Sequence, residues 1–125
     1  MLEAYIEEFF GVLAAVLPEN WRKVVFYGKL GEGSYEFYHF ILQENSSEYV
    51  AASAFYDAKI LSRRDVIKAY SKLFDICRKA LAQTDTPWTG VILRVDSNGH
   101  FSLDYSYGQQ SLGVSNEWKQ ENLIP

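Results

Sequence analysis

The stretch Trp88-Thr89-Gly90-Val91-Ile92-Leu93-Arg94-Val95-Asp96-Ser97-Asn98-Gly99-His100-Phe101-Ser102-Leu103-Asp104-Tyr105-Ser106-Tyr107 reads as two strands joined at Ser97-Asn98-Gly99. Its register decides the fold, and the side chains choose the register. A two-residue Asn-Gly loop sets Val95 against Ser102 and Leu93 against Asp104, which mixes apolar with polar on both faces. A three-residue loop, with Gly99 left-handed as a bulge, sets Val95 against Phe101 and Leu93 against Leu103. Val91 then faces Tyr105, and Thr89 faces Tyr107. One face is now consistently apolar, as a sheet covered on one side requires. The other face carries Trp88, Ile92, Arg94, Ser102 and Asp104. The three-residue loop is therefore expected. It places Asp96 and His100 face to face as a hairpin cap, and Arg94 and Asp104 as a diagonal surface ion pair.

Working outward, Ser62 reads as a helix N-cap, with Asp65 three residues on. The helix runs to about Ala82 on the stripe Val66, Ala69, Tyr70, Leu73, Phe74, Cys77, Ala80 and Leu81. Arg63, Arg64, Lys68, Lys72, Arg78 and Lys79 make it the most basic part of the chain, read as a solvated helix face. Residues 2–17 form a second amphipathic helix through Leu2, Tyr5, Ile6, Phe9, Leu13, Val16 and Leu17, stopped by Pro18. Residues 21–30 and 34–42 read as a hairpin closed by Gly31-Glu32-Gly33. Val24, Phe26, Tyr38, Phe40 and Leu42 are assigned to one face. Trp21, Lys23, Val25, Tyr27, Tyr35, Phe37 and His39 are assigned to the other, which is too aromatic for an ordinary wet face. Residues 49–56 are a third strand, 108–115 a loop, and 116–122 a short helical turn.

The fold class is therefore α+β. Two helices pack on one face of an antiparallel sheet of about five strands, in the order α-β-β-β-α-β-β, within a single domain over residues 1–125.

The totals exclude several functions. The net charge of −4 argues against direct nucleic-acid binding, which needs clustered Lys and Arg, and suits a basic protein partner. No run of about 20 apolar residues exists to span a membrane, and the acidic N-terminus is unlike a signal peptide. A cytoplasmic protein is expected. Cys77 is the sole cysteine and fits a buried, inert thiol. The two histidines, His39 and His100, lie far apart and build no metal site, and no phosphate loop or nucleophile elbow occurs. No cofactor and no enzymatic activity are expected. Aromatic residues make up 16% of the chain, including nine Tyr and eight Phe, a surplus favoured at protein interfaces.

Leu17-Pro18-Glu19-Asn20-Trp21-Arg22-Lys23-Val24 resembles the helix-to-strand junction of the YezG-like immunity proteins. Trp88-Thr89-Gly90-Val91-Ile92-Leu93, then Gly99-His100-Phe101 and Asp104-Tyr105-Ser106-Tyr107, resemble that family's closing hairpin. In order and spacing the resemblance spans Leu2 to Trp118. It implies an antitoxin that binds the C-terminal domain of a polymorphic toxin, often a nuclease, deployed between competing bacteria. In one respect the chain departs from the pattern: Gly108-Gln109-Gln110 stands where members often carry acidic residues, so the charge must sit elsewhere.

On this reading acidic groups steer a basic toxin and aromatic rings anchor it. The acidic candidates are Glu32, Glu36, Glu44, Glu48 and Asp104, and the aromatic ones Tyr35, Phe37 and Trp118. Tyr105 and Tyr107 join them, although their place on the apolar face favours a core role. The protein is expected to act as a monomer or homodimer. The competing reading is a non-catalytic adaptor or secretion-associated module that uses its aromatic sheet face.

Overall fold

The computed structural model describes residues 1–108 and 114–125. The chain divides into two compact units. One is built from Met1–Pro18 and Ser53–Pro87, the other from Glu19–Ala52 and Trp88–Pro125.

The first unit is helical. A 3-10 turn over Leu2–Tyr5 leads into α1, Ile6–Ala14. The single helix expected over residues 2–17 is thus shorter, with 3-10 geometry at its start. After Ala14 the chain tightens through bonds from Val16 N to Leu13 O and from Leu17 N to Ala14 O, and Pro18 then prevents continuation. Leu2, Phe9, Leu13 and Val16 from the expected stripe are buried. Helix α2, Arg63–Leu81, begins as read: the Ser62 hydroxyl accepts from the Asp65 amide at 3.3 Å. Its buried stripe is Val66, Ala69, Leu73, Ile76, Cys77 and Ala80, so Ile76 joins the expected set while Tyr70 and Phe74 are only half-buried. Burial pushes the Cys77 thiol up to about 12, so it stays protonated and unreactive. Helices α1 and α2 pack on one another, and Lys79 meets Glu8 at 3.8 Å in an exposed pair worth little.

The second unit holds the sheet. Its strands are β1 (Trp21–Gly31), β2 (Ser34–Gln43), β3 (Val50–Ala51), β4 (Gly90–Asp96) and β5 (Phe101–Ser106). They are ordered β3-β2-β1-β4-β5, each antiparallel to its neighbour. The short helix α3, Asn116–Asn122, follows. With five antiparallel strands and three α-helices among the described residues, the α+β class holds.

The closing hairpin has the expected register: Val91 opposite Tyr105, Leu93 opposite Leu103, Val95 opposite Phe101. Gly99 takes φ +90°, a left-handed conformation in which a side chain would be strained. Asp96 caps the turn. Its Oδ1 accepts from the Asn98 amide at 2.9 Å and the His100 amide at 3.1 Å, while Oδ2 lies 3.2 Å from His100 Nδ1. Partial desolvation of the Asp96 carboxyl is outweighed by these bonds, which hold it below its ordinary value.

Three expectations are corrected. Trp88 is not on the wet face. It is 1% exposed, and its ring lies 5.3 Å from that of Tyr105 on the apolar side, because residue 88 precedes β4 and need not follow its alternation. The strand over residues 49–56 is only Val50–Ala51, after which the chain turns into a 3-10 segment, Ala52–Phe55. The small, unbranched Ala-Ala-Ser-Ala run gives a strand little to pack.

The third correction concerns β1 and β2. Gly31 pairs with Ser34, so the turn has two residues, Glu32 and Gly33, rather than three. Gly33 takes φ +72°. Removing one residue from the loop shifts the register by one and turns every β2 side chain to the other face. Phe26 therefore shares a face with Phe37, His39 and Ile41, while Tyr27 shares the opposite face with Tyr38, Phe40 and Leu42. On the first face the central residues Val24, Phe26, Phe37, His39, Ile41, Val91, Leu93 and Val95 are all buried, His39 at 1% exposure.

Candidate protein-binding face

The second face of the sheet carries Val25, Tyr27 and Lys29 from β1, Glu36, Tyr38, Phe40 and Leu42 from β2, and Ile92 and Arg94 from β4. Six of these nine are apolar or aromatic, and a cover is needed. Helix α3 supplies it. Its start is fixed by the Ser115 hydroxyl, which accepts from the Trp118 amide at 3.0 Å. Trp118 then lies flat on Tyr27, ring centroids 4.5 Å apart and planes 17° apart, and 5.7 Å from the Phe40 ring. Tyr38, opposite Tyr27 on β2, stacks with it at 6.3 Å.

Arg94 ties α3 to the hairpin. One guanidinium nitrogen donates to Asp104 Oδ2 at 2.7 Å, the other to Asn122 Oδ1 at 2.8 Å. Asn122 in turn donates to the Trp118 carbonyl at 2.9 Å. The planar fork of arginine suits two partners held at fixed angles, which lysine would not match.

At one end of this face Glu36 stands opposite Lys29, and the Tyr38 hydroxyl donates to Glu36 Oε2 at 3.4 Å. Lys29 is only 6% exposed, with its ammonium 5.5 Å from the Tyr27 ring centre. Burial raises the Tyr27 and Tyr38 phenols above their ordinary 10.0, and the Glu36 charge raises them further. A raised phenol favours folding while it is neutral. That contribution is intact below pH 10 and is lost as pH climbs through the folded values. Glu36→Gln is expected to bring both phenols partway back toward 10.0, with desolvation holding the remainder. A phenolate absorbance titration unchanged by the substitution would contradict this.

The predicted site residues do not form one cluster. Glu36 is half-buried on the second face beside Tyr38, and Glu32 is exposed in the adjoining turn. Tyr35 and Phe37 lie on the first face, their rings 4.5 Å apart, and Phe37 is buried against Phe26, so it is core rather than an exposed anchor. Glu44 and Glu48 are exposed at the opposite end of β2, roughly 25 Å along the strand from Glu36. Asp104 is exposed and held by Arg94. Trp118 is half-buried as the cover of Tyr27. Tyr105 is half-buried near Trp88, and Tyr107 is 54% exposed.

The residues that organise the face but were not named as site candidates are Tyr27, Phe40, Arg94 and Asn122, although the Arg94–Asp104 pair itself was expected. A basin of about 290 Å³ in the same unit is lined by Lys23, Tyr49, Arg94, Asp96 and His100. Asp96 and Arg94 there are already committed to the hairpin turn and to α3. Among the described residues, no group of three or more His, Cys, Asp or Glu side chains is placed to hold a metal ion.

Against known families, the model for "Immunity protein YezG-like" matches residues 2–123. The chain belongs to the YezG-like family of immunity proteins. The match runs through both units and through α3 and its Trp118. No curated protein matches the chain. No helix is long and apolar enough to cross a membrane among the described residues. In the departure noted after Tyr107, Gln109 and Gln110 lie outside the described residues, as does part of the loop expected over 108–115.

Proposed function

We propose that this YezG-like protein neutralises a cognate bacterial toxin domain, a basic nuclease, by stoichiometric binding in the cytoplasm, without catalysis, cofactor or direct contact with nucleic acid. The family match over residues 2–123 carries the reading. The net charge of −4 and the acidic pair Glu36 and Glu32, beside the half-buried Tyr38 ring, support it. Acidic groups speed encounter with a basic partner, while partly exposed rings such as Tyr38 give contact area at low entropic cost.

Because Glu32 and Glu36 lie at one end of β2 and Glu44 and Glu48 at the other, the two pairs are separable. Reversing charge at the pair that faces the toxin is expected to slow association about tenfold at low salt and flatten its salt dependence. The other pair should leave the rate within about twofold. Equal rates for both double variants would remove all four residues from the interface.

The direct test is co-expression of the toxin domain encoded beside this gene, with and without this protein, followed by purification of the pair. Growth rescue with a one-to-one complex is the expected result. Unrelieved toxicity with no complex overturns the proposal and leaves the adaptor reading.

A further inference from the structure

The basin of about 290 Å³ lies at the end of the sheet nearest the closing turn, and its size is at the lower end of what small-molecule sites use, about 300–1,000 Å³. It is lined by Lys23 on β1, Arg94 and Asp96 on β4 and Ser102 on β5, neighbours across the sheet. Tyr49, from just before β3, and Ile124, from just after α3, line it as well. Two of its charged groups are spent. Arg94 is held by Asp104 and Asn122, and Asp96 accepts from two turn amides and lies against the His100 ring. Two others are not. Lys23 and Tyr49 are half-buried, and neither the ammonium nor the phenol hydroxyl has a hydrogen-bond or ion-pair partner among the described residues. Burial raises the Tyr49 phenol, and the charges of Arg94 and Arg22 act against that rise, so both guanidinium groups are felt at its oxygen. Lys23, Arg94 and Arg22 thus face Asp96 and Asp104, three positive charges against two negative, which leaves one positive charge over. Phe101 and Ile124, 47% and 68% exposed, give the basin apolar surface.

We propose that this basin binds an organic carboxylate, its oxygens on the Lys23 ammonium and the Tyr49 hydroxyl and its apolar body against Phe101 and Ile124. The unspent groups decide the chemistry. An ammonium only donates, and a neutral phenol has a proton to give. Asp96, the acceptor-only side chain of the basin, is already occupied by the turn. A ligand must therefore bring acceptor oxygens. A carboxylate brings two, enough for both donors, and carries the single negative charge that the surplus positive charge matches. A phosphate dianion would bring a second charge toward Asp96 and Asp104, and a neutral ligand would leave the half-buried Lys23 without a counter-charge. The site does not depend on the toxin reading, and failure of growth rescue would leave it standing.

The probe is benzoate, titrated at low salt into the full chain while amide resonances are followed. The Lys23, Arg94 and Ser102 amides should shift together and saturate with a dissociation constant of about 0.1–1 mM, as befits a ligand of this size in an open basin. Benzamide, which has the same shape without the charge, should bind at least about tenfold more weakly. Lys23→Met keeps the aliphatic stem and should lose about tenfold in benzoate affinity, while Lys23→Arg should stay within about threefold. Tyr49→Phe should lose about threefold. N-acetylphenylalanine, which offers its carboxylate as a chain terminus does, is titrated alongside. Saturation by either acid at these amides supports the site, and tenfold tighter binding of the second gives the carboxylate to a peptide end rather than a free acid. No saturable shift by about 20 mM of either acid, equal affinity for benzamide and benzoate, or unchanged affinity in Lys23→Met would each overturn the proposal. Inorganic phosphate binding more tightly than benzoate would overturn it too. The comparison of benzoate, benzamide and phosphate needs no variant, so it decides the matter even if a substituted chain fails to fold.

Discussion

Phe26→Ala is expected to lower the unfolding free energy by about 3–5 kcal/mol and the midpoint of thermal unfolding by about 10–20 °C. Phe26 is fully buried on the middle strand of the sheet, opposite His39 on one side and Leu93 on the other. Its ring meets that of Phe37 edge-on, with centroids 5.0 Å apart. The two rings close over Gly28, where a Cβ would stand 3.1 Å from Phe37 Cε1 and 3.2 Å from Phe26 Cε1. Glycine at that position is what allows both rings to lie so close to the backbone. Removing the Phe26 ring leaves a cavity that paired β-strands cannot collapse to fill. Gly28→Ala should destabilise the native chain but cost less in the Phe26→Ala background, where one of its two clashes is gone. Urea unfolding of the four proteins measures both effects. A loss below about 1 kcal/mol for Phe26→Ala would mean that the site relaxes and that this face is not close-packed.

That face illustrates what could be read in advance. The register of β4 and β5 was legible because apolar and polar residues alternate cleanly there, and only one loop length puts Val91, Leu93 and Val95 together with Phe101, Leu103 and Tyr105. In β1 and β2 both faces are rich in rings and branched chains. A slip by one residue exchanges Phe37 and Ile41 for Tyr38 and Leu42 and leaves both faces looking acceptable. The turn geometry decides the matter, and Gly31-Glu32-Gly33 offers glycine at two positions, only one of which takes a positive φ. His39 was assigned with Tyr35 and Phe37 to the face opposite Phe26, and the one-residue shift places it beside Phe26 in the buried layer. Of the candidate site, Glu36 was legible as an acid among apolar neighbours, and Trp118 as a large ring on a polar helix. Their partners were not. Tyr27, Phe40 and Arg94 meet α3 only through contacts distant in sequence, and no local pattern encodes them.

The second large effect is expected at Trp118, and it separates two roles that the residue can have. If Trp118 serves as the cover of the second face, Trp118→Ala exposes Tyr27 and Phe40, now 7% and 5% exposed, and costs about 2 kcal/mol for a half-buried ring with two aromatic partners. Trp118→Phe keeps a flat ring on Tyr27 and should recover most of that loss. Asn122→Ala, which removes the Arg94 bond but leaves the ring, should cost about 1 kcal/mol. Affinity for the toxin would then fall only as far as stability does. If Trp118 is instead an anchor for the toxin, Trp118→Ala should weaken binding by at least about 2 kcal/mol, roughly thirtyfold, at a temperature where the variant remains folded. The geometry favours the cover. The ring is stacked flat on Tyr27 rather than presented edge-out, and the Arg94–Asn122 bond holds the end of α3 against the sheet. Denaturant unfolding and toxin titration on the same three variants give the answer. Unfolding curves that coincide with the unsubstituted protein, beside a thirtyfold loss of affinity, would transfer Trp118 from the packing of the sheet to the interface.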